Sequence, residues 1–409
     1  MNNRPIPKLK IFSDRSYLPK GMAPTPMLYP FWRDLHTPKI RSWVSPYNHY
    51  MDIGPELFTL TDSLENADIA LLPMDWAGIR GDSWRSPIDR NAQHLAQEYA
   101  RKVNDSGIPL LAFFSSDCSD EDIPIQLDRQ ENRFSSQSST LSGKQGKLFR
   151  QSAYASRHRN DQRNGIMPFF CEDYINTYFQ GNLPTRPHLG RPTLSFCGFA
   201  RPLNLQRKLQ TVAYKAYMLA RQKRIVTSIY KGQSLRFSLL NTLQKDKEIT
   251  PNFTIHNQSI FFDASNEIEK ERTRIHFLEN IINSDYVFCC RGAANYSNRF
   301  YETLACGRIP VLIDTDCQLP FEEFIDWDRH CIRVSEQNTP EQTAHEITKR
   351  ILSFHRSRSS QEFTELQQDC YKLWKKWLSP EGFYSNVLNY FSGAIHNDSM
   401  YSIINREIV

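Results

Sequence analysis

The chain has 409 residues, 40% of them hydrophobic and 12% aromatic, with 50 Lys and Arg against 45 Asp and Glu for a net charge of +5. That length suits two domains with sizeable cores, and no stretch approaches the ~20 consecutive apolar residues of a membrane helix. Nine cysteines lack CxxC spacing, and Cys289 and Cys290 are adjacent on an apolar run, which favours free thiols over a disulfide framework or a zinc cluster. The charge is unevenly spread. Residues 174–245 contain twelve Lys and Arg and no Asp or Glu, so the rest of the chain is net acidic. Such a block is either an anion-facing surface, for a nucleotide diphosphate, a nucleic acid or an acidic glycan, or simply a solvated basic face.

The segment Lys8–Phe12 predicts a first strand, followed by a Pro-rich approach without a clear element. Residues 62–76 predict a short helix running into a buried strand at Ile69–Pro73. Asn91–Asn104 has apolar residues at helical spacing, an Asp-Ser-Gly turn ends it, and Ile108–Phe114 is a further strand. Strand and helix alternating in this way give an α/β fold with a parallel sheet. Residues 118–147 break the pattern with an acidic loop (Asp120, Glu121, Asp122) and a Ser/Gly-rich stretch that is either functional or disordered. Strands resume near Leu148 and at Met167–Phe170, and the Pro-rich passage 182–192 is the expected interdomain linker.

The second half repeats the alternation. Thr193–Cys197 is a strand, Gly198 to Pro202 a turn carrying Arg201, and a helix from about Asn204 carries Arg207 in its first turns. A helix over 267–282 leads into the strand 286–290. Arg291-Gly292 breaks that strand, a helix capped by Ser297 or Asn298 carries Arg299 and Glu302 on one face, and Gly307 ends it before the strand 309–313. A βαβ unit of this kind sets its first loop and helix N-terminus at the carboxyl edge of a parallel sheet, where ligands bind. Arginine in the first helical turn opposes the helix dipole; a diphosphate held by the helix end, the loop amides and two guanidinium forks would reverse that cost. Glu302, an acceptor only, suits a ribose hydroxyl pair. The alternative for Arg299 and Glu302 is a surface ion pair. A helix from Thr339 and two aromatic-rich helical stretches, 361–378 and 380–394, complete the chain, their aromatics expected in a core.

At these residues the chain resembles the exostosin-type glycosyltransferases (family 47), whose signature is a buried strand, an Arg-Gly turn, an Arg-Leu-Tyr-Glu-like helix and an Ala-Gly-x-Ile-Pro-Val-like strand. Arg291-Gly292 matches the turn, Arg299 to Glu302 the helix, and Cys306 to Val311 the exit, with Cys306 where the family commonly has Ala. The match spans residues 285–314; the strand at 69–73 and the Gly198–Arg201 turn, with Arg207 as the second downstream arginine, extend it more weakly. The resemblance implies a GT-B fold of two Rossmann-like lobes with parallel sheets facing a central cleft. Residues 1–185 would form the acceptor lobe, 190–375 the nucleotide-sugar lobe, and 376–409 would return toward the first. It further implies sugar transfer from a nucleotide sugar, here a UDP-sugar, to a glycan or polysaccharide acceptor.

Glycosyl transfer leaves negative charge on the departing diphosphate, which a metal or fixed cations must neutralise. Arg201, Arg207, Arg291 and Arg299, with the Gly292 turn, offer the metal-free solution; Asp314-Thr315-Asp316 is a DxD motif of the sort that accident supplies. The expectation is therefore no metal and no cofactor beyond the nucleotide-sugar co-substrate. For a base, if configuration inverts, the candidates are Asp75 and Asp117 at strand ends. Asp117 lies near where family members carry an Asp, although Ser116 replaces their preceding His. Animal and plant relatives of this type are membrane-anchored in the secretory pathway. The present N-terminus lacks an apolar h-region, so a soluble, cytoplasmic enzyme is expected, with no integral membrane segment and with peripheral membrane association left open. Two rivals remain: a GDP-fucose-dependent fucosyltransferase-like enzyme, and a non-catalytic binder of acidic glycan or nucleic acid using the 174–245 block. The first reading needs no nucleic acid.

Overall fold

The computed structural model describes residues 8–35, 45–81, 86–127, 146–159, 161–202, 204–220, 231–257 and 266–392. Contacts divide the chain into two compact units. One runs to Phe170 and takes in Gln318–Phe321 and the chain from Lys375 onward; the other comprises Cys171–Cys317 and Glu322–Trp374.

The first unit is built on six strands: β1 (Leu9–Phe12), β2 (Phe58–Thr61), β3 (Ile69–Leu71), β4 (Leu110–Phe114), β5 (Lys147–Arg150) and β6 (Asn164–Ile166). They lie in the order β2-β1-β3-β4-β5-β6, every pair parallel. All five residues of β4, Leu-Leu-Ala-Phe-Phe, are buried, as expected of a central parallel strand covered on both faces. The helix Arg90–Ser106 covers one face with Ala92, Ala96, Tyr99, Ala100 and Val103, and the Asp89 carboxylate caps it through the Ala92 amide at 3.0 Å. On the other side the C-terminal aromatics supply core. The ring of Phe383 lies 5.3 Å from Phe149 and 5.5 Å from Phe170, and Tyr384 lies 4.6 Å from Tyr50. Phe383 and Tyr384 of the last helix, Pro380–Ser392, are therefore core, as the spacing suggests.

The second unit has β7 (Thr193–Phe199), β8 (Thr250–His256), β9 (Tyr286–Cys289), β10 (Ile309–Asp314) and β11 (Ile332–Ser335), in the order β11-β10-β9-β7-β8, again all parallel. Strand order reverses between β7 and β9, and at such a switch point the flanking loops diverge and leave a crevice outside the carboxyl ends. Helices Leu205–Ala220, Lys231–Leu243, Glu267–Ile282, Asn298–Ala305 and Pro340–Arg356 connect or cover the strands. Thr339 caps the last of these through the Gln342 amide, with Pro340 at its first position.

The structure departs from the sequence-based expectation in several places. The Pro-rich passage 182–192 is bound into the second unit rather than strung between two. The Arg186 guanidinium donates to the buried Asp285 carboxylate at 2.8 Å, and its backbone exchanges hydrogen bonds with the Gln367 side chain. Strand β6 ends at Ile166, just before the expected 167–170 run. β8, which the sequence reading does not include, is the edge strand, with Pro251 opposite Leu194, where a missing N–H is tolerated. The helix Asn48–Leu57 and β2, which follows it directly, were hidden by Pro55 near the helix end. The core of the Ser/Gly-rich stretch, 128–145, lies outside the described residues.

Candidate functional site

The site is assembled where β7 and β9 end. β7 carries Phe196 buried in its interior and finishes Cys197-Gly198-Phe199. Arg299, in the first turn of the helix Asn298–Ala305, reaches across and donates from Nη2 to the Cys197 carbonyl. Its guanidinium lies 4.5 Å over the Phe196 ring and 5.5 Å over Phe277, an arrangement that holds the cation by its face. Gly198 makes this reach feasible. A Cβ there would stand 2.7 Å from Arg299 Nη2, and its φ of +153° is one that side-chain-bearing residues rarely adopt.

A second arginine spans the switch point. Arg236, on the helix Lys231–Leu243, donates from Nη1 to the Phe199 carbonyl at 2.7 Å. Its Nη2 donates to the carbonyls of Cys290 at 3.2 Å and Arg291 at 2.8 Å. One planar fork thereby ties the exit of β7 to the exit of β9, a geometry that Lys could not reproduce. Burial presses its pKa down from the ordinary arginine value, and the neighbouring Arg299 charge adds to that. The helix comes this close because residue 232 is Gly: a Cβ would stand 2.3 Å from the Arg291 carbonyl and 2.4 Å from that of Gly292.

The remaining candidates fall around this pair. Arg201 lies 5.3 Å and Arg207 5.9 Å over the Phe199 ring, and Arg207 also donates to the Gln233 side chain. Arg291 emerges directly after β9, but its guanidinium is 3% exposed and is turned into its own loop. There Nη1 donates to Asn295 Oδ1 at 3.1 Å and Nη2 to the Ala293 carbonyl at 2.8 Å. The Gly292 amide closes the same loop on the Tyr296 carbonyl at 3.3 Å. Glu302 accepts from the Tyr174 hydroxyl at 3.4 Å, and burial pushes its carboxyl up against the pull of Arg299 and Arg274. In the first unit, Asp117 stands exposed just beyond β4. Asp75, by contrast, is fully engaged: it caps the short helix Trp76–Arg80 through the Ala77 amide and accepts from the Ser115 amide and hydroxyl, the latter at 2.6 Å.

The hydrogen bonds of Arg236 and Arg299 go to backbone carbonyls. Arg201, Arg236 and Arg299 each have a buried Nε with no hydrogen-bond acceptor among the described residues. Desolvated cationic donors of that kind are costly to leave without a partner. The three guanidinium groups all touch the last residues of β7, at the crevice of a doubly wound sheet. The DxD carboxylate is meanwhile occupied. Asp314 Oδ1 accepts from the Asp316 and Cys317 amides at 2.9 and 3.1 Å, and Oδ2 pairs with Arg333 at 3.3 Å. Among the described residues no three His, Cys, Asp or Glu come together as metal ligands would, and all nine cysteines are buried and free. The acidic loop is partly buried. Glu121 pairs with Arg80 at 2.8 Å and Asp120 with Arg157 at 3.4 Å, beside the buried Arg150. Sequence reasoning missed Arg236 and Gly232; the one available signal was the acid-free block that contains them.

A doubly wound parallel-sheet unit with a basic switch point is the class of domain that binds phosphorylated small molecules. The family comparison agrees. Residues 198–351 match the exostosin GT47 domain. The match includes Arg201, Arg207, Arg236, Arg291, Gly292, Arg299 and Glu302 and leaves out Asp117. Exostosin-1 of Drosophila melanogaster is 28% identical over 170 residues, covering 41% of this chain and 21% of that protein. The Exostosin-1 homolog of Caenorhabditis elegans is 40% identical over 68 residues, 17% of this chain and 18% of that protein. The chain thus spans about a fifth of the length of these relatives. Two α/β units with parallel sheets make the architecture GT-B-like, and no described helix is long and apolar enough to cross a membrane.

Proposed function

We propose that the protein transfers a sugar from a nucleoside diphosphate sugar, a UDP-sugar, to a glycan acceptor, with the donor diphosphate seated at the β7/β9 switch point. The observation that carries this reading is the convergence of Arg201, Arg236 and Arg299 on the last residues of β7, the first over the Phe199 ring and the other two donating to the Phe199 and Cys197 carbonyls. As the glycosidic bond to the diphosphate breaks, negative charge grows on the phosphate oxygens. Guanidinium groups already fixed over Phe196 and Phe199 stabilise that charge without reorganising. Such a set of fixed cations performs the task without a metal. Glu302, on the same helix as Arg299, is the proposed acceptor for the ribose hydroxyls. Asp117 is the proposed base for the acceptor hydroxyl in an inverting reaction.

A thermal-shift panel of UDP, GDP and CMP with their sugars, run with and without EDTA, tests the reading. Stabilisation by UDP that survives chelation is expected. Selective stabilisation by GDP and GDP-fucose would favour the fucosyltransferase-like alternative. No stabilisation by any nucleotide, together with salt-sensitive binding to DNA or an acidic glycan, would replace the transferase reading with the binder.

A further inference from the structure

The helix Leu205–Ala220 is inside out. A helix that covers a sheet hides its apolar stripe, as Pro340–Arg356 does with Ala344, Ile347, Ile351 and Leu352 buried. On Leu205–Ala220 the apolar stripe faces solvent: Leu205, Leu209, Val212 and Leu219 are 73, 62, 64 and 68% exposed, with Ala216 exposed between the last two. Their spacing puts all five on one face, and the stripe runs for about 21 Å at 1.5 Å per residue. The half-buried face is instead Arg207, Gln210, Thr211, Tyr214 and Tyr217. Lys208 and Lys215, both exposed, lie seven residues apart along one flank of the stripe, and the helix has no acidic residue.

The geometry points to a lipid surface as the partner of this face: Leu205–Ala220 docks in the plane of an anionic bilayer. Its leucines and Val212 enter the interface, while Lys208 and Lys215 extend along the boundary to phosphate headgroups. Charge decides the choice of occupant. Exposed Lys208 and Lys215 flank the stripe and no acidic residue lies on the helix, a charge pattern that an anionic membrane complements. A second copy packed through the same stripe would bring lysine flanks together with no carboxylate on either helix to pair with them. Arg207 of the arginine cluster lies on the opposite, half-buried face of this helix, so the inference stands whether or not the donor assignment does.

The test is flotation of the full chain with vesicles of phosphatidylcholine alone and of phosphatidylcholine mixed with phosphatidylglycerol. Wild type is expected to float with the mixed vesicles only, and less so at high salt. Leu209→Asp/Val212→Asp should cut that binding by about tenfold or more, and Lys208→Glu/Lys215→Glu should cut it and abolish its salt dependence. An unchanged melting temperature shows that each variant is folded. Wild type remaining at the bottom of the gradient with both vesicle types overturns the proposal. So does flotation that Leu209→Asp/Val212→Asp leaves intact. A concentration-dependent dimer that Leu209→Asp/Val212→Asp dissolves, without flotation, would overturn it too and assign the face to a second copy.

Discussion

Arg299 donates to the backbone carbonyl of Cys197, a residue 102 positions earlier, and so bridges the first helix turn after β9 to the last turn of β7. The contact crosses the place where strand order reverses, two residues before the end of β7 at Phe199. An arginine in the first turn of a helix is unfavourable in isolation. Here the cation–π contacts with Phe196 and Phe277 and the carbonyl bond offset part of that cost, and a bound diphosphate would offset the rest.

Gly198 and Arg299 should accordingly behave as one device. Gly198→Ala places a methyl 2.7 Å from Arg299 Nη2 and forces the fork off the Cys197 carbonyl. Arg299→Ala is expected to weaken UDP binding by about 2–4 kcal/mol, the scale of a lost charge-assisted fork to phosphate. Gly198→Ala should lose a comparable amount, with about 1–3 kcal/mol of backbone strain added to its unfolding free energy. Calorimetry on folded Gly198→Ala giving wild-type affinity would separate Arg299 from the ligand.

The DxD stretch makes the opposite prediction. Asp314 is held by two amides of its own turn and by Arg333, so its substitution should register as lost stability rather than lost metal. Asp314→Asn should lower the melting temperature and leave nucleotide affinity equal with manganese and with EDTA. If wild type instead gains affinity on manganese addition and Asp314→Asn does not, the carboxylate is a metal ligand and the arginine account is incomplete.

The second unit was legible in sequence because its local signals agree. The run Tyr286–Cys289, the Arg-Gly break, the helix with Arg299 and Glu302 on one side and the buried run from Ile309 each carry their own pattern. Arg201 could be placed beyond a strand end and Arg299 in the first turn of a helix for the same reason. Arg236 could not, because its role depends on a helix approaching two carbonyl-bearing strand ends, and nothing in Leu-Arg-Phe-Ser-Leu-Leu encodes that approach. Nor could the turning of Arg291 into Asn295, a contact between neighbours whose direction depends on the loop's path. The inverted face of Leu205–Ala220 was hidden by its period: the spacing of its leucines is that of a core helix, and only tertiary structure tells which side is out.

A pH effect is expected from the first unit. His158 is buried, and burial, then the Arg150 and Arg157 charges, lower its pKa to about 4. The unfolded chain takes up that proton near pH 6.5, so between pH 6.5 and 4 the unfolded state binds more protons than the folded one. The stabilisation is complete above pH 6.5 and is lost as pH falls toward 4, amounting to about 3 kcal/mol across the window. Denaturant titrations at several pH values should show this slope in wild type and a shallower one in His158→Gln. Equal slopes would remove His158 from the acid sensitivity.

Arg201 and Arg291 should be energetically coupled, and the structure specifies the route. Arg201 follows the exit of β7 and Arg291 the exit of β9, while Arg291's own guanidinium is spent on Asn295 and Ala293. What joins the two turns is Arg236, with one nitrogen on the Phe199 carbonyl and the other on the Arg291 carbonyl. Arg201→Ala should therefore weaken UDP binding with little change in melting temperature. Arg291→Ala should lower both, because it loosens the loop. The double variant should depart from the sum of the singles by about 0.5–3 kcal/mol, the range for residues sharing a network. In an Arg236→Met background, where the strap is cut, the two substitutions should become additive to within about 0.5 kcal/mol. Additivity already in the wild-type background would mean that the turns act independently. Coupling that persists undiminished without Arg236 would place the connection in the ligand itself, with both turns on one diphosphate.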